Sequence, residues 1–264
     1  MYPTLLQFGS FRIDTYSVIW FIALSLAIIW SIKRLGLYEL DEDESRRIMS
    51  ISFLCMLIGA MAFKHIRLIP SYIANPSLMP SFSNWGLSEM GALLGAFISA
   101  FILCIFSKKI SFMKLCDVSI IPAILSIAIG RWGCFLNGCC VGLRSKFFMA
   151  VHFPFDSAGV TRHPVQIYYS VIAFVIVLIL IYVEKKILPF QKQKYHSVIT
   201  PLGIILYSLM RFAIVPVRDY IPLWRLILRS PTYQALGIVF PLACVWLTYS
   251  LLRIKGIKAD SSHR

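Results

Sequence analysis

The stretch Gly130-Arg131-Trp132-Gly133-Cys134-Phe135-Leu136-Asn137-Gly138-Cys139-Cys140 sets an arginine, an asparagine, three glycines and three cysteines at the end of an apolar run. A permanent cation in such a run is costly unless it meets an anion or lines a wet cavity. Glycines such as Gly130, Gly133 and Gly138 let backbone approach a ligand closely. The pattern implies an anion-reading site inside a membrane protein, and the anion at hand in a membrane is a lipid phosphate. Arg131 closes the apolar segment 118–129 and is the first candidate phosphate ligand; its alternative is a helix-end arginine reaching to headgroups. Asn137 could orient a glycerol or phosphate oxygen, or cap the helix together with Gly138.

Other residues could serve the same chemistry. Arg211 follows the apolar segment 201–210, and Arg218 with Asp219 adds a further cation beside an acid. Pro216 is expected to break or kink the helix between the two arginines. His163-Pro164-Val165-Gln166-Ile167-Tyr168 reads as a helix start, with Pro164 in its favoured place. His163 could cap that helix, meet a headgroup or move a proton, and Gln166 follows it on the first turn. Tyr16 opens the first apolar run, as an interfacial anchor or a substrate contact. Glu89 is the only acid within 75–100. It could complement a helix dipole, act as a general base or pair with an arginine. For Cys134, Cys139 and Cys140, no other His or Cys completes a recognisable metal set. An outer compartment would permit a disulfide, nearby arginines would lower a thiol pKa for catalysis, and packing with possible site contact is the remaining reading. No metal and no cofactor is expected. Cys55, Cys104, Cys116 and Cys244 stand alone in apolar runs, as small core residues do.

The elements that must position these groups are helices. Of 264 residues, 58% are hydrophobic and 14% charged, with mean hydropathy +0.76; soluble domains carry about 25% charged residues. Seven apolar runs, near 16–32, 48–63, 90–107, 116–136, 165–184, 197–215 and 232–252, predict an all-α polytopic membrane bundle. Short linkers and the lack of repeats predict one membrane-embedded domain over 1–264. The net charge of +14 does not indicate nucleic-acid binding, because the charges lie between apolar spans rather than on one basic face. Residues 1–14 lack a basic n-region and a small-residue cleavage site, so no cleaved signal peptide is expected.

Fifteen cations fall in one set of connections and 11 in the other. The excess predicts a cytoplasmic C-terminus and an N-terminus outside. Nine of the 11 outer cations are arginine, against five of the 15 inner ones. Lysine suffices for topology, whereas arginine offers a planar fork of donors for phosphate. The outer face therefore reads as the functional one.

Gly130-Arg131-x-Gly133-x-Phe135-x-Asn137-Gly138 followed by Gly142 resembles the signature of prolipoprotein diacylglyceryl transferases. Pro3-x-Leu5-x-x-x-Gly9, Ile13-x-x-Tyr16, Leu87-Ser88 with Gly91 and Gly95, His163-Pro164-x-Gln166-x-Tyr168, Arg211-Phe212 with Arg218, and Gln234 are similar in order to the rest of that family. The resemblance implies a multi-pass enzyme of the bacterial inner membrane, with its site toward the periplasmic side. It implies transfer of the diacylglyceryl group of phosphatidylglycerol to the lipobox cysteine of a prolipoprotein, with glycerol phosphate leaving. Arg131 and Arg211 would then stabilise the leaving phosphate, and Glu89 would take the thiol proton. Tyr16, Gly130, Gly133, Asn137, Gly138, Gly142, His163, Gln166 and Arg218 would bind substrate. Where the family usually carries a histidine or glutamate, this chain has Met90, Cys139, Tyr169 and Val215. A different acceptor, or phospholipid binding without catalysis, are the alternative readings.

Overall fold

The computed structural model describes residues 4–8, 11–78, 88–191, 197–218 and 230–261. Seven helices among the described residues are long and apolar enough to cross a membrane. They are α1 (Thr15–Arg34), α2 (Glu42–Ala74), α3 (Glu89–Ser107), α4 (Phe112–Asn137), α5 (Val165–Gln191), α6 (Ile199–Arg218) and α7 (Pro231–Ser261). Each coincides with one of the apolar runs read from the sequence, the sixth starting two residues later, at Ile199. A short antiparallel hairpin, β1 (Thr4–Phe8) with β2 (Phe11–Asp14), precedes α1. Its residues alternate weakly in polarity, so nothing in the hydropathy distinguishes them from a loop.

The chain divides into two compact units. The first, Met1–Arg34 with Cys116–Arg264, is built on an apolar core shared by α4, α5 and α6. Ile121, Ile124 and Ala128 of α4 meet Ala173, Ile176, Val177 and Leu180 of α5 and Ile199, Met210 and Ile214 of α6. Ser170 Oγ donates to the Ala128 carbonyl at 2.7 Å and ties α5 to α4. Phe21, Ile22, Leu26 and Ile29 of α1, and Val171, Phe174, Val175 and Leu178 of α5, point out of the unit. That outward apolar surface needs lipid rather than water around it.

The second unit, Leu35–Leu115, packs α2 against α3 through small residues. A Cβ on Gly59 would collide with the Gly91 carbonyl, one on Gly91 with that of Gly59, and one on Gly95 with that of Cys55. Backbones this close gain dispersion contacts that lipid cannot replace. Asp41 caps α2 by accepting from Glu44 N at 2.8 Å. The 33-residue α2 continues past its apolar portion through Pro70. Glu89 is the first residue of α3, after the N-cap Ser88, whose side chain accepts from Gly91 N. The Glu89 side chain lies outside the described residues.

Candidate active site

The first unit gathers three of its arginines around one tyrosine. Tyr169, on the second turn of α5, is 2% exposed. The Arg131 guanidinium carbon lies 4.7 Å from its ring centroid, and that of Arg211 lies 5.5 Å away. Arg218 Nη1 donates to the Tyr169 hydroxyl at 3.5 Å. Arg211 also lies 5.5 Å from the Tyr233 ring of α7. Four helices thus supply one cluster of three cations and two tyrosines.

Arg131 and Arg211 are 7% and 4% exposed, which excludes the picture of arginines reaching out to headgroups. Cation–π contacts of this geometry are strongest when desolvated. Tyr169 offers the guanidinium groups a ring face and a hydroxyl rather than a carboxylate. Arg211 and Arg218 are seven residues apart, two turns along one helix face. The helix break expected at Pro216 does not occur, since α6 runs through it to Arg218. Pro216 sits in the last turn, where it lacks the one N–H that would donate to the Phe212 carbonyl. The Val217 carbonyl in that turn accepts from Leu143 N at 2.9 Å. Asp219, the acid next to Arg218 in the sequence, lies outside the described residues.

The cysteines meet at the end of α4. Cys134 is in the last turn, and Asn137 is the final helical residue. Gly138 takes φ +72°, and the backbone closes with Gly138 N to Phe135 O at 3.1 Å and Cys139 N to Cys134 O at 3.0 Å. This is a left-handed C-terminal cap. Cys140 then adopts φ +58°, unusual for a residue with a side chain. The Sγ atoms of Cys134, Cys139 and Cys140 all lie within 4.8 Å of one another. Hydrogen bonds from Cys134 and Cys139 hold the Cys140 thiol well below the usual thiol range, against desolvation, and the charges of Arg131 and Arg218 act in the same direction. Asn137 is exposed and hydrogen-bonds the Cys139 side chain.

The glycines of this stretch carry helix packing. A Cβ on Gly130 would lie 2.7 Å from the Trp20 ring, and one on Gly133 would lie 3.3 Å from the Tyr16 carbonyl. They bring α1 against α4 and set Tyr16 within electrostatic reach of Arg131 and the three cysteines. Gly142 is enclosed by Val165 and by the carbonyls of Val217 and His163. Gln166 is 1% exposed. Its Nε2 donates to the Cys139 carbonyl at 2.6 Å, and its buried Oε1 has no hydrogen-bond partner among the described residues. His163 serves the start of α5, with Nδ1 3.1 Å from the Tyr168 hydroxyl. In the 138–164 connection, Arg162 forks onto Asp156 at 2.7–2.9 Å.

Over residues 3–250 the sequence matches the model of the prolipoprotein diacylglyceryl transferase family. The chain belongs to that family. Similar members are the phosphatidylglycerol–prolipoprotein diacylglyceryl transferases of Clostridium tetani, Finegoldia magna and Clostridioides difficile. The first is 28% identical over 70% of this chain and 75% of its own length. The second is 27% identical and the third 30%, each over 80% of this chain and 82% of its own length.

As a diacylglyceryl transferase family member, the chain reveals in Tyr169 a residue that the sequence reading treated only as a replaced glutamate. Its role depends on arginines from two other helices, so no local spacing signals it. Tyr233 was missed for the same reason. A second buried polar cluster was missed too. Arg34, counted in the sequence as a topological cation, is 4% exposed. It pairs with Glu184 and donates to the Val118 carbonyl at 2.9 Å. Asp117 beside it accepts from Ser197 Oγ and Thr200 N at 2.7 Å. Along α4, Asp117 and Arg131 are 14 residues apart, about 21 Å of helix, so this cluster braces the end of the unit remote from the arginine site.

Proposed function

We propose that this chain transfers the diacylglyceryl group of phosphatidylglycerol to the lipobox cysteine thiol of prolipoproteins, as a multi-pass enzyme of the bacterial plasma membrane acting as one domain over 1–264. The observation that carries the reading is the convergence of Arg131, Arg211 and Arg218 on Tyr169. Displacement at the phosphate-bearing glycerol carbon builds negative charge on the departing phosphate. Fixed, buried guanidinium donors stabilise that charge more in the transition state than in the diester. Family membership over residues 3–250 supports the same reaction.

In this reading Arg131 and Arg211 hold the leaving phosphate and Arg218 binds it from the end of α6. The Gln166 Oε1 accepts from a headgroup hydroxyl, and Tyr16, Asn137 and His163 border the lipid. Gly130, Gly133, Gly138 and Gly142 let the helices and the loop close around it. Glu89 is the proposed proton acceptor, on its sequence position alone. The N-terminus lies outside and the C-terminus in the cytoplasm, and no nucleic acid takes part. The test is expression in bacteria depleted of their own transferase, with the mass of a lipobox reporter followed. A diacylglyceryl adduct is expected. Its absence despite correct membrane insertion, with anionic phospholipid still bound, would replace catalysis by lipid binding. Glu89→Gln is expected to lower transfer at least 10-fold; full activity would remove Glu89 from the mechanism.

A further inference from the structure

We infer that Cys134, Cys139 and Cys140 form a three-sulfur site for a thiophilic divalent cation, zinc foremost, whose open fourth position takes the acceptor thiol. This rests on the transferase reading and supplies the activation of the thiol. The three Sγ atoms lie within 4.8 Å of one another. Three sulfurs bound to zinc at about 2.3 Å stand about 4 Å apart. A contraction of under about 1 Å therefore makes the site.

The loop is shaped to present sulfur rather than to fill space. Cys134 is buried, Cys139 half-buried and Cys140 exposed. A cysteine kept for packing has no reason to be exposed, and glycine or asparagine would take φ +58° with less strain. The loop is also fixed from outside, because Gln166 holds the Cys139 carbonyl at 2.6 Å. Three thiolates and a divalent cation leave one net negative charge, and Arg131 and Arg218 lie within electrostatic reach to balance it.

Sites with three protein ligands and one exchangeable position are the catalytic form of zinc centres. A thiol entering that position ionises more readily, its proton passing to the proton acceptor of the transferase reading, and stays bound as thiolate. Its sulfur electron pair attacks the glycerol carbon, the carbon–oxygen bond breaks, and the electron pair leaves with glycerol phosphate onto the arginines. The neutral thioether is a weak ligand and departs.

The test uses the full chain, purified in detergent under reducing, chelator-free conditions. About one zinc per chain is expected by elemental analysis. Cobalt(II) replacing it should show thiolate-to-metal charge-transfer absorption. Cys139→Ser and Cys140→Ser should each lower metal content at least 5-fold, and Cys244→Ser should not. A cysteine lipobox peptide should shift the cobalt spectrum, and its serine counterpart should not. Zinc-free wild-type protein without cobalt absorption would overturn the site. So would a disulfide among the three cysteines in fully active protein, or unchanged transfer after complete chelation. Bound metal and a peptide-dependent spectral shift without thioether formation would uphold the site and remove the transferase reading instead.

Discussion

Replacing Tyr169 separates the ring from its hydroxyl and tests whether the tyrosine organises the phosphate site. Tyr169→Phe keeps the ring under Arg131 and Arg211 at 4.7 and 5.5 Å and loses only the hydrogen bond from Arg218. At 3.5 Å that bond is long, so its loss is worth about 0.5 kcal/mol, at the low end for hydrogen bonds. A 2- to 3-fold fall in kcat/KM follows. Tyr169→Leu keeps an apolar side chain in a buried place but removes both cation–π contacts. Desolvated contacts of this kind are worth about 1–2 kcal/mol each. The sum, about 2–4 kcal/mol, predicts a fall of roughly 30- to 1000-fold. The assay is the initial rate of thioether formation on a lipobox peptide in phosphatidylglycerol micelles, with thermal unfolding to verify that each variant is folded. A folded Tyr169→Leu protein within 3-fold of wild type would show that the ring does not organise the arginines. So would a Phe variant as impaired as the Leu variant, because the ring would then contribute nothing.

Arg131→Ala should lower transfer about 100-fold or more, as loss of a preorganised donor to developing charge does, while Arg47→Ala, an exposed partner of Glu44 on α2, should leave it unchanged; equal losses would defeat the arginine-site argument. Glu184→Gln leaves the buried Arg34 guanidinium without its carboxylate. Breaking one partner of a buried pair costs about 3–5 kcal/mol, so the melting temperature should drop sharply in a detergent thermal-shift measurement, with the arginine site otherwise intact. The Asp156 carboxyl is held below the usual carboxylate range by its hydrogen bonds from Arg162. Its contribution is complete above the ordinary aspartate pKa of about 3.9 and is lost as pH falls through the lowered value. Amide exchange in 151–162 should therefore accelerate at acid pH in the wild type and show no such step in Asp156→Asn.

The seven helices were legible because each carries an apolar run of membrane-spanning length, and the ends moved by a few residues where polar turns continue the hydrogen-bond ladder. The long α2 is the clearest case: its acidic first turn and its portion beyond residue 63, broken by Lys64, Arg67 and Pro70, carry no continuous apolar run. Arg131 and Arg211 were legible because a cation ending an apolar run is costly without a purpose. The glycines were legible as positions of close approach, but the approach that Gly130 and Gly133 make is to Trp20 and Tyr16 of α1. Tyr169 was not legible, since an aromatic residue in an apolar helix looks like core until arginines from α4 and α6 arrive beside it. The meeting of Cys139 and Cys140 with Cys134 depends on a left-handed turn at Gly138 and Cys140. Spacing alone does not reveal that turn, although Gly138 hints at it.

Thioether formation is coupled in this mechanism to release of glycerol phosphate. Both products can be followed with purified protein, a cysteine lipobox peptide, and phosphatidylglycerol isotopically labelled in its headgroup glycerol. Labelled glycerol phosphate and diacylglyceryl peptide are expected in equal amounts, both lost in Arg131→Ala. Labelled glycerol phosphate without lipidated peptide, or neither product from folded and lipid-bound protein, would overturn the coupled transfer.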